Sequence, residues 1–510
     1  MFQSILFDGQ GSHTLCNEMP GCFKDLNLNQ LVDSVCEKEK NINLAPLYYT
    51  PLENPEDIIY RQEILKDLLY KDNNEIIDCF SEEMCKLSEL LDRAKEDLNS
   101  GDSWKCNYLL YGHFLEYGER YCESIKNLKK KIPEMNLQSD GFKMISKSIE
   151  DLCNSDFYAE LSQTQNKLRT AFSRERYCMF IKNETIHFKK YEGEENLSEK
   201  ITSLFKKFSL EKGKSYRREF EERPYADHVE AKVLQCLSRI YPELFSELEK
   251  YVKKFSDFID TGLLNFCREV RFYISWIDEI KGLMKYGLSF CFPKFGNDDL
   301  YCNGFFDMVL SGKIGDATVT NDFYLKKPER IFVVTGPNQG GKTTFARAIG
   351  QIHYLASLGL NIPGRSAELI LPQNVLTHFE REETLSSGNG KLGDDLNRLK
   401  QVLENATEKS VIIINEIFSS TVYEDAVKLG EYMIKSLKER GSFCVIVTFL
   451  DKLAEYGPET VSLMSTVDSE NPEIRTFRII RKPPDGLAYS MTLADKHGLR
   501  YEQILRRIEP

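Results

Sequence analysis

Thr335-Gly-Pro-Asn-Gln-Gly-Gly-Lys-Thr-Thr344 places Gly336, Gly341, Lys342 and Thr343 at the spacing GxxxxGK[ST]. Residues of these types in this pattern bind phosphate. The glycines let backbone N–H groups curl around phosphate oxygens, a helix N-terminus adds partial positive charge, Lys342 reaches the β and γ phosphates, and the Thr343 hydroxyl ligates Mg²⁺. The nucleotide-binding candidates are therefore Gly336, Pro337, Asn338, Gln339, Gly340, Gly341, Lys342, Thr343 and Thr344, together with Asn321. A second stretch, Val411-Ile-Ile-Ile-Asn-Glu-Ile-Phe-Ser-Ser-Thr421, reads as a buried strand that ends on an amide and a carboxylate. In a phosphate-cleaving site that place holds the metal through water and activates the attacking water. Asn415 can accept a hydrogen bond from a metal-bound water but brings no charge, so weak Mg²⁺ affinity is expected. Glu416 keeps its carboxylate and is the candidate general base, with Lys342 as its catalytic companion.

These residues need a scaffold of a particular grain. The loop follows the short apolar run Ile331–Thr335 and precedes a helix starting near Lys342. Val411–Ile414 and Phe443–Thr448 are further brief, branched runs separated by helical stretches. Such alternation predicts a mostly parallel sheet covered on both faces. Between about Leu44 and Phe290 the chain is instead rich in Glu, Lys, Leu and Tyr and repeatedly helical in period. Phe266, Val270, Tyr273, Ile277, Ile280 and Met284, for example, recur at steps of three and four and predict one apolar helix face. Within that region Tyr177–Phe188 forms two β-rich runs around Asn183-Glu184, as in a hairpin. Basic residues crowd it: Arg169, Arg174, Arg176, Lys182, Lys189 and Lys190, then Lys206, Lys207, Lys212, Lys214, Arg217 and Arg218. They fit either a solvated Lys-rich surface or DNA-backbone contacts at the tip of a helical arm, for which Arg174, Arg176, Lys182, Lys189 and Lys190 are the candidates.

Composition sets the outer bounds. At 510 residues, two or three domains are expected, and 41% hydrophobic with 29% charged residues excludes wholesale disorder. The 14 cysteines are scattered without CxxC pairs, which favours a reduced cytoplasmic setting over a disulfide framework. No apolar run reaches the roughly 18 residues that span a bilayer, and the first residues lack the pattern of a signal peptide, so no membrane is expected as a partner. The net charge of −12 weakens a simple case for nucleic-acid binding, leaving local basic patches to decide it.

The motifs together resemble those of the MutS family of ATPases. TGPNQGGKTT is similar to that family's TGPN(M)GGKST, and Gly359–Ala367 resembles its G-x-x-VPA-x-x-A. Asn415–Asp425 runs without gaps against DELGRGTS-x-x-D, matching at Glu416, Thr421 and Asp425. Met491–Gly498 resembles the segment that closes the family's ATPase domain, and Thr50–Gln62 the PL-x-D-x-x-x-I-x-x-RQ that opens its helical core. The resemblance runs from about residue 45 to the C-terminus. It implies a multidomain chain: an N-terminal segment 1–43, a helical core with lever and clamp-like arm 44–292, and an α/β P-loop ATPase domain of ABC type 293–510. It also implies ATP and Mg²⁺, a homodimer through the ATPase domains, and duplex or branched DNA bound without sequence preference. Three positions depart from the family. The metal-side Asp is Asn415. The His of the strand-end THY is Phe449, which removes a possible γ-phosphate sensor. An ungapped register puts Gly390 and Lys391 at the partner-contacting Ser-Thr, so Ser387, Lys391 and Asp425 are candidates for action across a dimer, Lys391 in the manner of an arginine finger. Residues 1–43 leave no room for the two domains with which mismatch-reading members begin, so direct mismatch reading is not expected. A switch acting on a protein or ribonucleoprotein partner, and a scaffold that has lost turnover, are the other readings the residues allow.

Overall fold

The computed structural model describes residues 4–9, 14–39, 42–99, 107–183, 185–195, 200, 228–381, 390–418, 420–468, 470–471, 474–484 and 504. It divides into two compact units: one comprises Glu75–Asn136 and Lys143–Arg268, the other Gln3–Asn74, Leu137–Phe142 and Glu269–Pro510. The units cross the chain-order divisions at 43 and 292, because helices before residue 74 and after residue 269 bury their apolar faces among the α/β elements.

In the first unit the helices Asn107–Lys131, Asp156–Arg174 and Pro242–Lys254 pack together. Gly118 lies where a Cβ would overlap Tyr251 and Gln165, whose amide donates to the Tyr251 hydroxyl at 2.9 Å. Ser155 caps Asp156–Arg174 by accepting from the Tyr158 N–H, supplying an acceptor that the helix start lacks. That helix leads into the hairpin of Tyr177–Lys182 and Thr185–Lys190, which turns at Asn183 with φ +48°. The sequence placed this hairpin correctly, because Asn tolerates the left-handed turn. Lys206, Lys207, Lys212, Lys214, Arg217 and Arg218 lie outside the described residues.

The second unit is built on a six-stranded sheet of β1 (Ile331–Thr335), β2 (Asn374–Phe379), β3 (Ser410–Asn415), β4 (Phe443–Val447), β5 (Thr460–Val467) and β6 (Arg475–Arg481). Its order is β2-β3-β4-β1-β5-β6, with only β6 antiparallel. Every residue of β1, β3 and β4 is buried, which is why they read as continuous apolar runs and not as alternating ones. α1 (Lys342–Ser357) covers one face over β3 and β4. On the other, Ala426, Met433, Ile434 and Leu437 of α3 (Tyr423–Arg440) pack on Ile412, Ile414 and Ile446. Between them in sequence, α2 (Gly390–Asn405) packs along β2. The expected helix from Phe266 is Thr261–Met284, but Met284 is 50% exposed because it is the last residue of the helix, and Phe272, Ile274 and Trp276 are buried as well. This helix is enclosed on more than the one predicted face.

The N-terminal residues belong to this unit. Ile5 N donates to Glu269 Oε2 at 2.8 Å, and the buried Arg61 donates to Leu6 O at 2.7 Å and to Leu358 O, just past α1, at 3.0 Å. Gln351 of α1 donates to Leu26 O at 2.9 Å. Among the described residues no disulfide forms, and no helix is long and apolar enough to cross a membrane.

Candidate functional site

β1 and β3 flank β4, so the loop after β1 and the residues closing β3 emerge side by side at the carboxyl ends of the strands. The loop leaves Thr335 through Gly336 at φ +107°, where a Cβ would stand 2.6 Å from the Ser465 hydroxyl and 2.9 Å from its carbonyl oxygen. Only glycine fits both the dihedral and the space. Pro337 O accepts from Gly340 N at 3.2 Å, Gln339 takes φ +60°, and Gly341 at φ +88° delivers the chain into α1. No side chain caps α1, so its first N–H groups are left for another acceptor.

Lys342 lies folded back under this loop. Its Nζ donates to Gly336 O at 2.8 Å, Pro337 O at 3.0 Å and Asn338 Oδ1 at 3.4 Å. Burial lowers its pKa, the Glu416 carboxylate opposes that effect, and Arg475 adds to it. Next to it Thr343 Oγ1 donates to Asn415 Oδ1 at 2.8 Å, joining the loop to the end of β3. Asn415 is buried, and Glu416 follows at φ +53° with its N–H donating to Val447 O at 2.9 Å. A non-glycine residue held there costs on the order of 1–3 kcal/mol, a strain found where a side chain must be aimed. Here the aim is into a cavity of about 570 Å³, which Glu416 lines with Asn338, Gln339, Gly340, Gly341, Lys342, Thr343 and Thr344.

The rest of the cavity lining is largely apolar: Phe305, Phe306, Leu310, Ile314, Val319 and Phe477. Sequence reasoning missed these residues, since they come from the stretch 305–319 and from Phe477 far downstream and carry no motif. Phe477 takes φ +57° and lies 3.6 Å from where a Gly341 Cβ would stand. Asn321 lines the cavity too, but its side chain is occupied by β6: Nδ2 donates to Phe477 O at 3.2 Å and Oδ1 accepts from Ile479 N at 2.8 Å. Asn321 therefore positions Phe477.

The remaining candidates lie apart from the cavity lining. Phe449 follows β4 and is 51% exposed. Asp425 is exposed in the first turn of α3, and Lys391 in α2 is paired with Glu380 of the same chain. Ser387 lies outside the described residues. On the hairpin arm Arg174, Arg176, Lys182, Lys189 and Lys190 are all exposed. Lys189, however, is bonded to Glu194, which holds that carboxyl down at about 2, and Lys190 Nζ lies 5.1 Å above the Tyr241 ring.

Residues 332–507 match the family model described as MutS domain V. The chain is 27% identical over 244 residues to the DNA mismatch repair protein MutS of Thermosipho melanesiensis, covering 47% of this chain and 28% of that one. It is 29% identical over 196 residues to the endonuclease MutS2 of Thermus thermophilus, covering 38% and 26%. A third relative, the DNA mismatch repair protein MutS of Thermotoga maritima, is 24% identical over 294 residues, covering 56% and 36%. The chain thus spans roughly a quarter to a third of the length of these relatives.

Proposed function

We infer that this chain is a MutS-family protein and propose that it binds ATP with Mg²⁺ in the cavity between the loop 336–341 and Phe477 and hydrolyses it. The observation that carries this reading is the 2.8 Å bond from Thr343 Oγ1 to Asn415 Oδ1, with Glu416 beside it in the same cavity. The free N–H groups at the start of α1 and the Lys342 ammonium hold phosphate oxygens. Lys342 then exchanges its bonds to the loop carbonyls for the ligand's, and burial strengthens its pull. The apolar wall of Phe305, Phe306 and Phe477 suits the flat face of a nucleoside base. Thr343 and Asn415 present two adjacent hard oxygen donors, a set that fits Mg²⁺, which when bound offsets the charge developing on the phosphate oxygens. Because neither donor is charged, the metal is held more loosely than by a carboxylate. Glu416 accepts the proton of the attacking water at its carboxylate. Glu416→Gln tests that role: an unchanged hydrolysis rate would remove Glu416 as the base.

The reading extends to DNA. Two relatives are named as DNA mismatch repair proteins, and the exposed Arg174, Arg176, Lys182 and Lys190 on the hairpin arm supply phosphate contacts without sequence preference. In this account residues 44–292 hold the lever and clamp-like arm, 293–510 the ATPase domain of ABC type, and 1–43 an N-terminal segment. Two chains pair through the ATPase domains with Lys391 and Asp425 facing the neighbour's nucleotide, Lys391 exchanging Glu380 for phosphate. ATP then favours one dimer arrangement and with it one DNA-bound state. ATPase rates with and without duplex, forked and four-way DNA test the coupling. Stimulation by one structure supports it, and a flat response together with no low-salt DNA binding refutes it in favour of a protein or ribonucleoprotein partner.

A further inference from the structure

The hairpin carries more than charge. Tyr177, Met179, Phe180 and Ile186 of the hairpin, and Tyr191 just past it, are 41–61% exposed, and residues 177–190 carry Lys182, Lys189 and Lys190 against Glu184 in a chain of net charge −12. Exposed apolar groups gathered on one small element mark an interaction site. The antiparallel register pairs Cys178 with Lys189, Phe180 with His187 and Lys182 with Thr185, so these six side chains share one face of the two-stranded sheet, with Glu194 bonded to Cys178 and Lys189 at its inner end, while Tyr177, Met179 and Ile186 lie on the other face. On the first face the Phe180 and His187 rings lie nearly parallel, 5.5 Å apart at 16°, and Thr185 Oγ1 lies 3.0 Å from His187 Nε2. The base of the hairpin is anchored as well, since the Tyr241 hydroxyl donates to Arg176 O at 2.6 Å. The result is a fixed aromatic platform with Lys182 at its outer end and Arg174 and Arg176 at its root.

We propose that this face binds unpaired DNA, with a base stacking on Phe180 and the strand's phosphates following Lys182. The inference rests on the DNA reading above and adds its substrate class: strands with exposed bases, such as forks and single-stranded gaps. Phosphate contacts to a closed duplex need only the cations. An exposed aromatic ring beside them supplies what single-strand binders use, a stacking surface every base can occupy. Charge selects the occupant, because Lys182, Arg174 and Arg176 complement a polyanion, whereas an apolar protein partner would leave them unused.

The test is fluorescence anisotropy of labelled oligothymidylate and of a blunt duplex at low salt, using the full chain. Phe180→Ala should weaken oligothymidylate binding about 10-fold, within the range set by stacking energies per base, and leave duplex binding within about twofold. Phe180→Trp should restore it, and Lys182→Glu should weaken both ligands. If Phe180→Ala leaves oligothymidylate binding unchanged, or weakens both ligands equally, the stacking role is overturned while the DNA reading stands. If the unaltered protein binds neither ligand, the DNA reading falls and the platform proposal with it.

Discussion

Asn415→Asp restores a charge where the site has an amide, and the structure sets what that charge should do. The Asn415 side chain is buried and accepts the Thr343 hydroxyl at 2.8 Å, so a carboxylate of nearly the same shape can take its place without repacking. Two unit charges about 4 Å apart attract by about 4 kcal/mol at an effective dielectric near 20, and a divalent cation doubles this to about 8 kcal/mol. Removing the carboxylate from water costs several kcal/mol. The balance leaves about 1.5–3 kcal/mol, or roughly a 10- to 100-fold drop in the Mg²⁺ concentration for half-maximal hydrolysis. Without metal the buried carboxylate is uncompensated, so thermal unfolding should come earlier in EDTA and recover with Mg²⁺. Titration of Mg²⁺ against hydrolysis rate, paired with melting curves in both conditions, reads both effects. A folded variant whose Mg²⁺ requirement and melting response match the parent would show that position 415 does not act through metal charge.

Other perturbations follow from the same geometry. Lys342→Ala removes the cation held under the loop by hydrogen bonds to its carbonyls and should weaken ATP binding by about 100-fold by calorimetry, the worth of one or two charge-assisted bonds. Gly336→Ala forces a Cβ against Ser465 at φ +107° and should cost about 1–3 kcal/mol in urea denaturation while abolishing nucleotide binding. His378 is held neutral in the fold, its pKa lowered to about 4 by burial and then by Arg398, with Asp395 opposing. Unfolded histidine takes up its proton near pH 6.5, so stability from this group is complete above that pH and is lost as pH falls toward 4. Between pH 7 and 5 the His378→Gln protein should therefore lose about 2 kcal/mol less stability than the parent, and equal losses would mean that His378 is charged in the fold.

What the sequence disclosed and what it withheld divide by locality. The loop 336–343, the start of α1 at Lys342, β1 and the hairpin turn at Asn183 were all legible, because each depends on neighbours in sequence: glycines for left-handed dihedrals, a helix N-terminus, branched residues in a run. Asn415 and Glu416 were legible as the end of a buried strand, and the parallel order then brought them to the loop. The wall of Phe305, Phe306 and Phe477 was not, since two segments more than 150 residues apart meet there and an exposed-looking Phe in a basic strand gives no signal of its own. Nor was the docking of Ile5 and Leu6 on Glu269 and Arg61, which joins residues far apart in the chain. The bonds from Asn321 to Phe477 and Ile479 were hidden for the same reason, because those partners lie more than a hundred residues downstream.

Glu416 is the residue proposed to take the proton from the attacking water in the nucleotide site. Single-turnover hydrolysis by Glu416→Gln, measured alongside ATP affinity, tests this role most directly. Affinity should stay within a few-fold of the parent while the rate falls by about 10²–10⁴, the usual contribution of a positioned general base. A rate equal to the parent's at equal affinity would contradict that role.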